Sequence, residues 1–314
     1  MNDREILNTI KYQDKEGNNI VIPREMISFL TSDRQNTPRI LSNIIKQNPL
    51  RIIPTCRYLL GTSGIGILPK VERHDLIKSF LPEIEKIETM TMVGKNGIEY
   101  KLYVGGNLFL MEMNYVCYEQ ILYGEGYTKN YNDVKGKTII DAGSNIGGFS
   151  LFAVKNGAKK VYAFEPILLS SEIIKKNAIL NGCEKNIIVY PIALGDTSGS
   201  IKMITDGVPG DVCASIILDR PGANTVDVKI DTLDSFAKNI KFNFIKMDVE
   251  GFENNILIGG KETIKKNKPM MVICSYHKKD DMTVLPNTVY SINKNYKIQT
   301  IEDGGEKKIR CTLK

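Results

Sequence analysis

Short apolar runs alternate with longer amphipathic stretches over the second half of the chain. Five such runs are bounded by Gly, Pro, Asn or Asp: residues 138–143, 160–166, 186–194, 242–251 and 269–277. Strands that are buried on both faces have this composition, and helical stretches such as SSEIIKKNAILNG lie between several of them. The pattern therefore predicts an α/β fold in which crossover helices connect the strands of a parallel sheet.

The chain end has a different pattern. Residues 283–295 are predicted to form a helix, and residues 296–301 and 307–313 resemble the two strands of a closing hairpin around Gly304-Gly305. Such a hairpin would add antiparallel strands to one edge of the sheet.

Residues 1–95 are predicted to form a mostly helical N-terminal extension or cap. Thr37 is a candidate N-cap with Pro38 at the first helical position, followed by one apolar face. Residues 74–87 form a second predicted helix, interrupted at Pro82.

Residues 96–137 are predicted to lead into the core. Residues 97–113 alternate around Gly105-Gly106 and predict a β-hairpin, and the aromatic-rich residues 115–127 predict a helix that packs on the domain. Residues 138–314 then form the predicted ligand-binding domain.

Composition excludes several classes of protein and site. The chain has 314 residues, 42% hydrophobic content and a net charge of +6, but no long basic block, so no nucleic-acid partner is expected. No apolar run approaches the length of a membrane span, and the N-terminus does not resemble a signal peptide. Six dispersed cysteines without a C-x-x-C pair predict reduced thiols rather than a zinc site. We therefore expect a cytoplasmic protein of undetermined oligomeric state.

A glycine-rich turn follows the first of the five runs. Asp141 closes that run, and Gly143, Asn145 and Gly147 lie in the turn that leads to the next predicted helix. Glycine allows a ligand to approach the backbone, and the helix N-terminus offers free N–H groups. Glu165 closes the second run, where a carboxylate can accept both hydroxyls of a ribose.

A dinucleotide is the first alternative for this turn. Asn145 stands where the G-x-G-x-x-G fingerprint requires its middle glycine, which disfavours NAD or a flavin. Asp141 beside the turn suits a positively charged ligand group, and S-adenosylmethionine combines such a group with a ribose and an adenine. Ala193, in the third run, could contribute an apolar wall for the adenine.

These stretches resemble a known family. TIIDAGSNIGGFSLF, VYAFEP, IDTLDSF and FIKMDVEGFENNIL strongly resemble the FkbM-type S-adenosylmethionine-dependent methyltransferases, over about residues 110 to 302. The resemblance implies a Rossmann-like seven-strand methyltransferase sheet whose last strand is antiparallel. It also implies cofactor-binding roles for Asp141, Gly143 and Asn145 at the first strand end, Glu165 at the second strand end and Asp248 at the fourth. Gly147, Pro166 and Ala193 are further candidate cofactor-binding residues because of their places in the turn and at the strand ends.

The resemblance places the acceptor next to Asp248, with Glu250, Tyr276 and His277 as candidate substrate-binding residues. His277 follows the fifth run and is the candidate general base, with Asp248 as the alternative. Asp248 and Glu250 would point to opposite sides if they continued a strand, which disfavours joint metal binding. The sequence therefore predicts no metal.

Three functions remain to be compared. The leading hypothesis is O-methylation of a hydroxyl on a sugar, glycan precursor or natural product, either free or attached to a protein. The close variant is N-methylation of an amine on a glycan or amino-acid moiety. A non-catalytic nucleotide-binding interaction module is the alternative from another class, and it is disfavoured by the four acids Asp141, Glu165, Asp248 and Glu250.

Overall fold

The computed structural model describes residues 10–21, 85–94, 97–107, 126–205, 214–216, 224–303 and 306–313, with single positions at 110, 114, 117, 120, 121 and 124. The helix predicted from Thr37, nearly all of the helix predicted over residues 74–87, and His74 lie outside these residues.

A four-stranded antiparallel sheet occupies the described N-terminal residues. Its strands lie in the order β2-β1-β3-β4. They are β1 (Lys11–Gln13), β2 (Asn19–Ile20), β3 (Thr89–Val93) and β4 (Glu99–Tyr103). The prediction of a mostly helical extension is therefore wrong for the described part of residues 1–95, where Tyr12, Met90 and Met92 are buried at alternating strand positions.

The predicted hairpin over residues 97–113 is also wrong. β4 does form, but it pairs with β3 across the turn at residues 94–98. Gly105-Gly106 does not connect two strands, because Leu110 already has helical backbone geometry. The alternating pattern on which the prediction rested belongs to β4, which is the second strand of a hairpin that begins with β3.

The central sheet has seven strands and confirms the Rossmann-like methyltransferase fold class. Its order is β13-β14-β12-β11-β5-β6-β7. The five parallel strands are β5 (Thr138–Ala142), β6 (Lys160–Phe164), β7 (Ile187–Tyr190), β11 (Phe244–Met247) and β12 (Met270–Cys274). The predicted closing hairpin is confirmed as β13 (Tyr296–Asp303) and β14 (Glu306–Leu313), and β14 runs antiparallel to β12. The strand order reverses between β5 and β11, where ligands bind in open α/β sheets.

Six α-helices have both of their ends among the described residues. They are α1 (Gly148–Lys155), α2 (Leu168–Leu180), α3 (Leu233–Phe236), α4 (Glu253–Gly259), α5 (Lys261–Asn267) and α6 (Asp281–Ile292). A 3-10 turn covers Tyr131–Asp133. Among these helices, none is long and apolar enough to cross a bilayer.

The third run, residues 186–194, divides at Pro191. β7 joins the central sheet, whereas β8 (Ala193–Gly195) pairs with β10 (Asn224–Thr232) in a separate three-stranded sheet that also contains β9 (Gly199–Thr205). Proline has no N–H to contribute to a ladder, which accounts for the break.

Two asparagines of α2 attach the small N-terminal sheet to the central domain. The Asn177 side chain accepts a hydrogen bond from the N–H of Tyr103 at 2.8 Å. The Asn181 side chain accepts from the N–H of Lys101 at 3.0 Å and donates to the Lys101 carbonyl. The free edge of β4 is thereby satisfied, as an unpaired edge requires.

Candidate functional site

The glycine turn brings two strand ends into contact. Gly143, Asn145 and Gly147 all have left-handed backbone geometry, with φ values of 74°, 50° and 88°. A Cβ atom at Gly143 would overlap the carbonyl oxygen of Asp248, so only glycine fits between the ends of β5 and β11. The turn is a closely packed backbone cradle at the position where the sheet order reverses.

Glu165 holds this turn in place. One carboxylate oxygen accepts a hydrogen bond from the N–H of Asn145 and the other from the N–H of Ile167, both at 2.9 Å. Burial raises the pKa of Glu165 to about 7, although these two N–H groups and the charge of Lys246 act in the opposite direction. Glu165 is therefore a carboxylate whose protonation changes near neutral pH.

Asp141 is fully buried beneath the turn. Its carboxylate accepts a hydrogen bond from the Ser150 hydroxyl at 2.6 Å and lies 3.3 Å from the Lys246 ammonium. Lys246 also donates to the carbonyl of Gly143. Burial lowers the pKa of Lys246, but the Asp141 and Asp248 carboxylates more than offset this and raise it overall, so the lysine stays charged. Asp141 is thus placed to position the turn through Lys246.

Asp248 and Glu250 lie on the same side of the site, contrary to the sequence argument against joint coordination. β11 ends at Met247, and Glu250 has left-handed backbone geometry with φ 54°, so strand alternation does not extend to it. One oxygen of Asp248 lies 3.6 Å from Nε2 of His277, and one oxygen of Glu250 lies 3.5 Å from the same atom.

His277 lies at the centre of three carboxylates. Its side chain is 4% exposed, and its Nδ1 is 2.9 Å from an oxygen of Glu253, which is 1% exposed. Burial alone lowers the pKa of His277, but Glu250, Glu253 and Asp248 outweigh it and raise the pKa to about 11. In this geometry the imidazole is already protonated at neutral pH, which leaves it unable to accept a further proton.

Two tyrosines complete the surroundings of Asp248. The Tyr127 hydroxyl donates to Asp248 at 2.7 Å, and the Tyr276 hydroxyl lies 3.4 Å from its other oxygen. Burial raises the pKa of Asp248, but the charges of Lys246 and His277 and the Tyr127 hydrogen bond bring it below its usual value. Tyr127 is 2% exposed and packs edge-on against Phe149.

Ala193 lies close to the segment that contains Glu165 and Pro166. Ala193 packs in one apolar cluster with Ile167, which follows Glu165 and Pro166 directly. Pro166 is half-buried and Ala193 is buried. The structure therefore brings Ala193, which is predicted to contact the adenine, close to Glu165, which is predicted to bind the ribose.

Three residues of the site were missed by sequence reasoning: Tyr127, Lys246 and Glu253. Lys246 left a detectable signal, because it is a lysine inside the apolar run FNFIKM, where a charge must have a buried partner. Glu253 and Tyr127 left no such signal. Their contacts with His277 and Asp248 join different elements of the fold.

Comparisons with known proteins identify a methyltransferase domain in this chain. A family model described as a methyltransferase FkbM domain matches residues 141–295. The chain is similar to methyltransferase sdnD of Sordaria araneosa, with 23% identity over 178 residues that cover 45% of this chain and 68% of that protein. Protein arginine N-methyltransferase 6 of Danio rerio is 38% identical over 53 residues, which cover 17% of this chain and 15% of that protein.

Among solved structures, the chain is similar to methyltransferase FkbM from Methylobacillus flagellatus KT. The identity is 20% and the TM-score 0.47, and the match covers 62% of this chain and 47% of that one. This chain therefore spans less than half the length of that solved structure.

Proposed function

Because the chain belongs to the FkbM methyltransferase family, we propose that it transfers a methyl group from S-adenosylmethionine to a hydroxyl of a sugar, glycan precursor or natural product. The observation that carries this proposal is the contact between the Gly143 turn and Asp248, with Glu165 at the neighbouring strand end. This arrangement puts a backbone cradle, a ribose-type carboxylate and a group of acids along one edge of the sheet.

The described residues fit the cofactor along this edge. Glu165 would hold the ribose hydroxyls, because each of its oxygens accepts one backbone hydrogen bond and keeps a lone pair available. Gly143, Asn145 and Gly147 would line the methionine end, and Ala193 with Pro166 would face the adenine. Asp141 would act through Lys246, since its own carboxylate is 0% exposed.

When bound, S-adenosylmethionine supplies a sulfonium-activated methyl group, whose C–S bond breaks as a bond to the acceptor oxygen forms. The residues of the chain align the acceptor and take its proton. Alignment lowers the barrier by about 7–11 kcal/mol in such reactions. A general base raises the rate roughly 10²- to 10⁴-fold, which corresponds to about 3–5 kcal/mol. The cradle is therefore expected to matter more than any single base.

Accessibility favours the carboxylates over His277 as the group that meets the acceptor. The side chains of Asp248 and Glu250 are 17% and 23% exposed, whereas that of His277 is 4% exposed. Asp248 is then the candidate group that takes the proton. Glu250 and Tyr276 are the candidate contacts of the molecule that receives the methyl group. His277 holds both carboxylates in place as a positioning residue.

Binding measurements test the proposed cofactor. In titration calorimetry, S-adenosylmethionine and S-adenosylhomocysteine should each bind one site, whereas NAD⁺ and NADH should not bind. Binding of the nicotinamide pair, or of none of the four, would contradict the proposal. Release of S-adenosylhomocysteine in the presence of a panel of sugars would then separate an enzyme from a non-catalytic binding module.

The affinity for S-adenosylmethionine should depend on pH through Glu165. Ribose hydroxyls donate to the ionised carboxylate, so affinity should be highest above pH 7 and fall by up to about tenfold per pH unit below it. The contribution of Glu165 to stability has the opposite sign. Its pKa is raised above 4.5 in the folded state, so that contribution is present below pH 4.5 and is lost as the pH rises through 7.

Glu165→Gln is the matched variant, because glutamine has the same shape and does not ionise. We expect its affinity to be lower than that of the parent by at least about tenfold at pH 8, with no step near pH 7. An unchanged pH profile in this variant would assign the titration to another group.

A further inference from the structure

The imidazole of His277 is held with one nitrogen facing a buried carboxylate. Nδ1 lies 2.9 Å from Glu253, and Glu253 is itself fixed because the same oxygen accepts a hydrogen bond from the N–H of Val249 at 2.9 Å. In metal sites, a ligating histidine typically has its second nitrogen oriented by a carboxylate in this way. The ring therefore presents Nε2 in a fixed direction, and a cation bound there would displace the proton that this nitrogen carries without metal.

Nε2 of His277 faces two carboxylates but makes no hydrogen bond to either of them. Asp248 and Glu250 lie 3.6 and 3.5 Å away, and among the described residues no group makes a hydrogen bond to this nitrogen, although it is inaccessible to solvent. A buried polar atom of this kind requires a partner.

The spacing of these atoms matches a coordination sphere. One ligand atom from each of Asp248, Glu250 and His277 lies within 4.8 Å of the others. Ligands bonded at about 2.1 Å lie roughly 3.0–3.4 Å apart at octahedral or tetrahedral angles. The two carboxylate distances to Nε2, 3.6 and 3.5 Å, exceed this range by only a few tenths of an ångström.

Charge favours the same occupant. Asp248, Glu250 and Glu253 place three carboxylates around a single imidazole, and Lys246, whose charge also acts on Asp248, is paired with Asp141. Carboxylates this close repel one another, and a protonated His277 offsets one of the three negative charges. A divalent ion in place of that proton would offset two of them.

We propose that Asp248, Glu250 and His277 bind one divalent transition-metal cation, such as Mn²⁺, at the edge of the sheet beside the glycine turn. Carboxylates suit Mn²⁺ and Mg²⁺, whereas imidazole suits Zn²⁺ and Fe²⁺, so the mixed set selects a transition metal over Ca²⁺. Tyr127 orients Asp248 by donating to its other oxygen, which leaves one oxygen for the ion.

One consequence rests on the proposed function. Three protein ligands leave coordination positions that an acceptor oxygen can fill, and a hydroxyl bound to a divalent cation ionises more readily. The site would therefore favour a hydroxyl acceptor over an amine.

Electron paramagnetic resonance of the full chain with Mn²⁺ alone tests the site. We expect one equivalent of Mn²⁺ to bind saturably and to show nitrogen coupling from an imidazole. The chain contains two histidines, His74 and His277, which makes the control simple. His277→Gln should remove the nitrogen coupling and His74→Gln should retain it. The reverse pattern, or no saturable binding at millimolar Mn²⁺, would overturn the proposal.

A second variant covers the case in which His277→Gln does not fold. Glu250→Gln should weaken Mn²⁺ binding by at least tenfold, whereas Glu172→Gln, on the exposed face of α2, should bind Mn²⁺ like the parent. Equal binding by Glu250→Gln and the parent would refute the assignment. S-adenosylmethionine binding is measured separately without metal, so a failure of the metal site and a failure of the cofactor assignment are distinguishable.

Discussion

Replacing Gly143 with alanine should destabilise the protein and abolish tight binding of S-adenosylmethionine. The new Cβ would overlap the carbonyl oxygen of Asp248 and come within 3.1 Å of the Val249 side chain. Both of these atoms belong to the segment that follows β11, so the turn and that segment must separate. Crowding of this kind costs about 1–3 kcal/mol, and a left-handed alanine adds about 1–2 kcal/mol.

Gly136→Ala provides the matched control. Gly136 has φ 71°, close to the 74° of Gly143, but a Cβ atom there would meet nothing within 4 Å. We expect Gly136→Ala to lose only the stability that a left-handed alanine costs, about 1–2 kcal/mol, and to bind S-adenosylmethionine like the parent. Urea unfolding and titration calorimetry measure the two effects. Equal losses in both variants would show that backbone conformation, rather than the contact with Asp248, explains the requirement for glycine.

The central sheet could be predicted from the sequence because its signals are local. Each parallel strand is a short apolar run with its own boundaries, and the Gly143 turn follows directly from the residues after β5. The N-terminal strands could not be predicted in this way. β1 and β2 contain only three and two residues, and β1 pairs with β3 across more than seventy residues of chain. Strands that pair across so many residues leave no periodic pattern that a short stretch of sequence could reveal.

The sequence identified some of the residues of the site, but not the directions in which their side chains point. The family resemblance indicated Asp248 and Glu250, and its place after the fifth run indicated His277. The structure brings all three together. The direction of Glu250 depends on its left-handed backbone, which its residue type disfavours and which only the turn after β11 explains. The buried environment of His277 depends on Glu253, which enters the site from the first turn of α4.

Lys246→Met should have an effect as large as that of Gly143→Ala, for an electrostatic reason. Lys246 is 2% exposed and Asp141 is 0% exposed, so the substitution leaves a buried carboxylate with Ser150 as its hydrogen-bond donor. Removing one partner of a buried pair typically costs about 3–5 kcal/mol. The loss should appear in urea unfolding, whereas Lys202→Met, which breaks an exposed pair with Asp227, should change stability little.

The double variant Asp141→Asn/Lys246→Met separates the charge from the other contacts of the lysine. Removing both charges should recover much of the stability that Lys246→Met loses, because no buried charge then lacks a partner. The affinity for S-adenosylmethionine should stay low, because the Gly143 carbonyl still lacks the donor that Lys246 provides. Recovery of both stability and affinity would instead mean that Lys246 serves only to neutralise Asp141 and does not shape the turn. A double variant as unstable as Lys246→Met would show that the hydrogen bond to Gly143, rather than the ion pair, stabilises this part of the fold.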